Sequence, residues 1–225
     1  RGGELTFGRY ADSLLLDPVW NDANVDIWIF TNLYDTLIRS SPDGNGLEPG
    51  LATEWAVSDD GTEVTLTLRE GVKFADGSDM TAEDVKWSLD RARNPENGIW
   101  NGLIGSIGSV EIADPQTIVL KLKNPDPTII PALAVFNTAI MPKALYEAEP
   151  GATDAEKAES FAKHPVGTGP FAFESWERGS KMRIVRNPHH WEQGEDGQPL
   201  PYLDAVVFEL IPDDATRILK LKSGE

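Results

Sequence analysis

The 225-residue sequence has no cysteine. That excludes a disulfide framework, thiol catalysis and Cys-ligated zinc, and leaves the compartment open. Histidine is scarce, at three residues. Positive charge is also short: 20 Lys and Arg stand against 37 Asp and Glu, for a formal net charge of -17. Nucleic acid and anionic lipid both need clustered Lys and Arg, so neither is expected as a partner. No stretch approaches the ~20 uninterrupted apolar residues of a membrane span, so direct membrane insertion is not expected. No charged-then-apolar leader opens the sequence, which is equally true of a mature exported chain. Gly-x-Ser-x-Gly elbows, His-Glu-x-x-His helices and Walker loops are all missing, and catalysis has no positive signal.

What is present is an ordinary globular composition, 40% hydrophobic and 25% charged, in a chain long enough to bury a sizeable core. Its organising stretch is residues 68–91, LREGVKFADGSDMTAEDVKWSLDR. Val64, Leu66 and Leu68 alternate toward one face of a strand. Asp76-Gly77 supplies a turn, and Thr81 stands three residues before Asp84, the spacing of an N-terminal helix cap. Val85, Ser88, Leu89 and Ala92 then follow at i, i+3, i+4 and i+7, so one helical stripe packs on the strand while Glu83, Lys86 and Asp90 face water.

In chain order, residues 4–9 read as an opening strand, with Leu5 and Phe7 alternating against polar neighbours. A loop around Asp17-Pro18 precedes a helix, with Asn24 as the expected cap and Val25, Trp28, Ile29, Leu33 and Leu37 on the helical period. Turn residues crowd 40–46 and mark a first boundary. Hairpins are expected around Asp59-Asp60-Gly61 and Asp114-Pro115. An apolar run over 129–140 is too short to span a membrane. A charged helix at 154–163, strands at 171–176, 182–186 and 206–211, and a helix at 215–221 complete the reading.

The wording of several segments carries a resemblance. GVKF at 71–74, Asp76-Gly77 and TAEDV at 81–85 resemble the signature of the oligopeptide, dipeptide and nickel solute-binding proteins that feed ABC importers, extracellular solute-binding family 5. LDP at 16–18, LYDTL at 33–37, LEPGLA at 47–52, GTGPF at 167–171, Asn187-Pro188 with Trp191, and Leu203-Asp204 follow in that family's order. The resemblance implies an α/β fold: a periplasmic-binding-protein-like lobe of mixed sheets and helices with an inserted smaller α/β sub-domain. Residues 1–40 and 166–225 would form the main sub-domain and 41–165 the insertion, with the second lobe absent. It implies a periplasmic or cell-surface binding component of an ABC import system. Such a protein captures a peptide-like or other small solute in an interlobe cleft and delivers it to a membrane permease, with no cofactor and no chemical step.

Site residues come from two sources. Trp20 and Trp100 stand in loops, where an aromatic offers flat contact area to a ligand. The resemblance adds Asp22 and Asn24 after the Leu16-Asp17-Pro18 loop, and Phe136 and Asn137 beside Trp100 in the insertion. Trp28, Trp55 and Trp87, inside regular elements, read as packing residues. Gly167-Thr168-Gly169 is followed by Pro170 and a strand, whereas a phosphate cradle must open a helix, so it reads as a tight chain crossing. His189 and His190 are adjacent and diverge on either kind of element, which argues against a metal site, and His164 is alone. Asp59-Asp60 and Asp213-Asp214 read as turn and helix-start chemistry. The alternative class is a secreted carbohydrate-active or peptide hydrolase using an Asp/Glu pair. A peptide-chaperoning or sensory module would share the fold.

Overall fold

A computed structural model of the chain describes residues 1–224. In chain order the elements are β1 (Glu4–Arg9), α1 (Asn24–Leu33), β2 (Ile38–Ser40), β3 (Leu47–Pro49), β4 (Ala52–Val57), β5 (Glu63–Leu68), α2 (Ala82–Arg93), β6 (Ile107–Asp114), β7 (Thr117–Leu122), α3 (Ile129–Ala132), α4 (Lys143–Ala148), α5 (Asp154–Phe161), β8 (Phe171–Glu177), β9 (Lys181–Arg186), β10 (Ala205–Leu210) and α6 (Asp214–Ser223).

Two four-stranded sheets organise the molecule. The first, ordered β1-β10-β9-β8, joins the two ends of the sequence, with β1 parallel to β10 and the other pairs antiparallel. Met182, Ile184, Val206 and Phe208 on its inner face pack against Ile29, Phe30 and Leu33 of α1, and against Tyr146, Ala158 and Phe161 of α4 and α5. The second sheet, β4-β5-β7-β6, is wholly antiparallel. Val64, Leu66, Leu68, Ile118 and Leu120 form its buried face against Val85, Leu89 and Ala92 of α2. Each such side chain contributes ~1.5–3 kcal/mol on burial, which makes this alternation the main local stabiliser.

The capping expectation at α2 holds in full. Thr81 Oγ1 accepts from Asp84 N, and Asp84 Oδ2 accepts from Thr81 N at 2.9 Å. Asp84 Oδ1 also accepts from Lys143 N, so one carboxylate fixes the starts of α2 and α4.

Two local expectations change, and the opening strand appears with an unexpected burial pattern. Asn24 is the first residue of α1 rather than its cap; Ala23 precedes the helix with no side-chain cap, and Asn21 Oδ1 holds the Ala23 amide instead. The helix stops at Leu33 because Tyr34 is extended, so Leu37 leaves the helical period while remaining buried. In β1 the alternation is real but its apolar members are half exposed, Leu5 at 49% and Phe7 at 41%, and the buried residue is Arg9. Phe7 instead meets the edges of Trp28 and Phe208 at 5.4 and 5.9 Å.

Candidate functional site

The expected site residues fall on two neighbouring loops. Trp20 and Asp22 lie between β1 and α1, and Asn24 opens α1; Asp22 and Asn24 are exposed. Trp100 precedes a single 3-10 turn at 101–104, and Phe136 and Asn137 lie in another at 136–138. The structure brings the last three together: the Trp100 and Phe136 rings meet edge-on at 5.9 Å, and Asn137 Nδ2 donates to Trp100 O at 3.4 Å. Asn137 is buried and its Oδ1 has no hydrogen-bond partner. Phe136 also stacks on Phe30 of α1 at 5.9 Å.

The two loops abut at Gly98, where a Cβ would stand 1.9 Å from Val19 O, so only glycine permits this approach. Among the described residues, no hydrogen bond or ring contact joins Trp20, Asp22 or Asn24 to the Trp100 group. Phe30 and Phe136 line a cleft of about 610 Å³ together with Asp35, Arg39, His190, Glu192 and Tyr202. A cleft of that size, lined by apolar side chains and a few polar groups, suits a small solute. Arg39 donates both Nη groups to Glu192, at 2.9 and 2.7 Å, and this hydrogen bonding holds the Glu192 carboxyl below the usual glutamate range.

Trp20 is anchored more deeply than a free loop aromatic. It packs against both hydrophobic clusters, and its indole Nε1 donates to Asp154 Oδ2 at 2.6 Å. Asp154 in turn accepts from Arg91 Nε at 3.0 Å, and Arg91 pairs with Asp17 through Nη1 and Nη2 at 3.3 and 2.9 Å. Arg91 Nη2 also donates to Tyr146 Oη at 2.6 Å, and that hydroxyl donates to Asp154 O. Burial alone would lower the Arg91 guanidinium; Asp17 and the hydrogen bond to Asp154 outweigh it and raise it. The network escaped the sequence reading. Its one legible sign was that Asp84, Ser88 and Arg91 recur at i, i+4 and i+7, a polar stripe beside the apolar one, and all three are buried.

The remaining motifs resolve simply. At Gly167 a Cβ would meet Leu33 O at 2.1 Å, and at Gly169 Asn32 O at 2.6 Å. The glycines thus cross the carbonyl end of α1, which repels anions, rather than an amide end that would bind them. His190 is buried with Nδ1 3.1 Å from Thr168 O, whereas His189 is exposed. Among the described residues no group of three or more His, Asp or Glu is arranged to hold a metal. Asp60 is pushed down to about 2 by the Ser58 hydroxyl and by Thr62, and Asp213 caps α6 through Thr216 N, so one acidic pair serves a turn and the other a helix start.

Known proteins resemble this chain in sequence and fold. The family model of bacterial extracellular solute-binding proteins, family 5 Middle, matches residues 46–225. The glutathione-binding protein GsiB of Salmonella typhi is 38% identical over 177 residues, 78% of this chain and 32% of that protein. The chain therefore spans about a third of the length of such curated relatives. DppA from Helicobacter pylori, an ABC transporter-associated periplasmic binding protein solved with the peptide STSA, is 31% identical, with a TM-score of 0.85 over 99% of this chain and 45% of its own. AgaA from A. tumefacien R10, solved with agropinic acid, is 32% identical, with a TM-score of 0.86 over 99% of this chain and 42% of its own. These relatives are binding proteins, and none favours the hydrolase alternative. With a match that covers most of its length, the chain belongs to the bacterial extracellular solute-binding proteins of family 5.

Proposed function

We propose that this protein captures a small, peptide-like solute outside the cytoplasm and delivers it to the membrane permease of an ABC importer. The observation that carries the reading is the family match over residues 46–225, to which GsiB adds a glutathione-binding relative at 38% identity. In this reading Trp20, Asp22 and Asn24 from one loop, and Trp100, Phe136 and Asn137 from the other, form this chain's wall of the solute site. Residues 1–40 and 166–225 act as one sub-domain and 41–165 as the insertion, and both contribute to one side of the interlobe cleft that holds the solute. The aromatic pair at Trp100 and Phe136 offers apolar contact, and the acidic Asp22 offers an acceptor to a solute amine.

The test is calorimetry on the full-length protein with reduced glutathione and with peptides of two to five residues, paired with chromatography of the same mixtures. Saturable binding with no new product supports the reading. Product formation would make the protein an enzyme, and no heat with any of these solutes would remove the peptide-like class.

A further inference from the structure

The loop that carries Trp20, Asp22 and Asn24 is held from beneath by groups distant in sequence. Asp17 Oδ1 accepts from the amides of Val19 and Trp20 at 2.9 and 3.2 Å, a turn that sets the loop's path. Asp17 is fully buried, and Arg91 from α2 neutralises it across 74 residues of sequence. Asp154, the first residue of α5, completes the cluster by joining the Trp20 side chain to Arg91. Its carboxylate receives the Arg91 guanidinium and the Trp20 indole together. Formally the cluster holds one cation and two carboxylates. Neutralising Asp154 therefore leaves the buried Arg91–Asp17 pair balanced, while an amide offers a single oxygen where two donors now share a carboxylate.

We propose that Asp154 is a positioning residue for solute binding: by tying the Trp20 indole and Arg91 to one carboxylate, it fixes the loop 17–24 in the shape that the solute meets. This rests on the solute-binding reading above. The consequence is that α2 and α5, which contribute none of the six candidate contact residues, set the geometry of one wall of the site.

Asp154→Asn tests it, with three readouts. The indole N–H resonance of Trp20, assigned through its loss in Trp20→Phe, should move when the carboxylate acceptor becomes an amide. Amide exchange at Val19 and Trp20 should quicken at least about tenfold while Val64 and Leu66 in β5 keep their rates, since the change is local. The dissociation constant of the full-length protein for reduced glutathione should rise at least about tenfold, and Asp154→Glu should recover part of that loss. An unchanged dissociation constant beside a shifted indole and faster loop exchange would overturn the proposal, because the anchor would then be structural only. Uniformly faster exchange, β5 included, would overturn it too. If the unaltered protein binds neither glutathione nor short peptides, the solute-binding reading fails and the affinity claim with it; the indole and exchange data still decide whether Asp154 holds the loop.

Discussion

Two arginines are buried on either side of the same loop, and their surroundings differ. Arg91 is 5% exposed, and its hydrogen bonds reach Asp17, Tyr146 and Asp154, which lie 74, 55 and 63 residues away. Arg9 is 1% exposed, yet its partners are Ser13 and Val25 O through Nη1, with Asp12 3.6 Å from Nη2. Its Nε and Nη2 have no hydrogen-bond partner, and neither does Oδ1 of the buried Asp26 nearby. Burial lowers the Arg9 guanidinium, with Asp26 and Asp12 opposing, whereas carboxylates raise that of Arg91. The same residue type at similar depth is thus an inter-element clamp in one place and a poorly satisfied local contact in the other. The difference lies in geometry rather than in the number of carboxylates: Asp17 and Asp154 accept hydrogen bonds from Arg91 at 2.9–3.3 Å, whereas Asp12 stays 3.6 Å from Arg9 and Asp26 takes no hydrogen bond from it.

The sharpest way to break this comparison is to delete each guanidinium. Arg91→Met leaves Asp17 buried and uncompensated, and should destabilise the protein by ~3–5 kcal/mol in chemical denaturation. Arg9→Met removes two hydrogen bonds and one long ion pair together with two donors that make no hydrogen bond, and should lose less, under ~2 kcal/mol. Equal losses would mean that pairing does not distinguish them.

The clamp also predicts how two loop aromatics differ. Trp20 packs on both cores and bonds Asp154, whereas Trp100 is 39% exposed and meets mainly Phe136. Trp20→Ala should therefore cost ~2–3 kcal/mol of stability. Trp100→Ala should cost under ~1 kcal/mol while weakening solute binding, measured by thermal denaturation and calorimetry side by side.

A cap offers a smaller and purely local effect. Thr81→Ala removes the hydroxyl half of the box at α2 and should lower stability by ~1 kcal/mol with an unchanged denaturant slope. An unmoved midpoint would show that the Asp84 carboxylate alone suffices.

The smallest effect concerns a third arginine, Arg39, only half buried and paired with Glu192. Hydrogen bonding to Arg39 depresses the folded pKa of Glu192, so the pair contributes stability at neutral pH that is lost as pH falls through that depressed value. Glu192→Gln should flatten the acid limb of the stability curve below the usual glutamate value of about 4.3. At pH 7 it should cost under ~1 kcal/mol, since solvent screens the pair. A larger loss at pH 7 than that expected for Arg9→Met would place exposed pairing above buried contacts and reverse the ranking.

How much was legible depends on the range of the forces involved. The alternation of Val64, Leu66 and Leu68, the Thr81 cap and the stripe on α2 follow from side-chain periodicity within a few residues, and each appears where the sequence placed it. The expected cap at Asn24 did not appear, because Asn21, three residues earlier, already satisfies the Ala23 amide and local rules do not rank such competitors. Of the site, the contact between Trp100 and the Phe136-Asn137 segment was reachable only through family wording, since no spacing rule joins positions 36 residues apart.

By itself the sequence determined the helix starts at Thr81 and Asp213, the turn glycines and the absence of catalytic and membrane motifs, because these depend on residue type and near neighbours, and it carried the fold class through its resemblance to a family. Tertiary structure alone decided that Gly98 would admit Val19, that Gly167 and Gly169 would cross the carbonyl end of α1, and that Arg91 would meet Asp17, Tyr146 and Asp154. A charge written in a helix looks solvated until its partners are known. Whether it is a surface charge or a buried clamp depends on desolvation and on long-range pairing, and neither is encoded within one element.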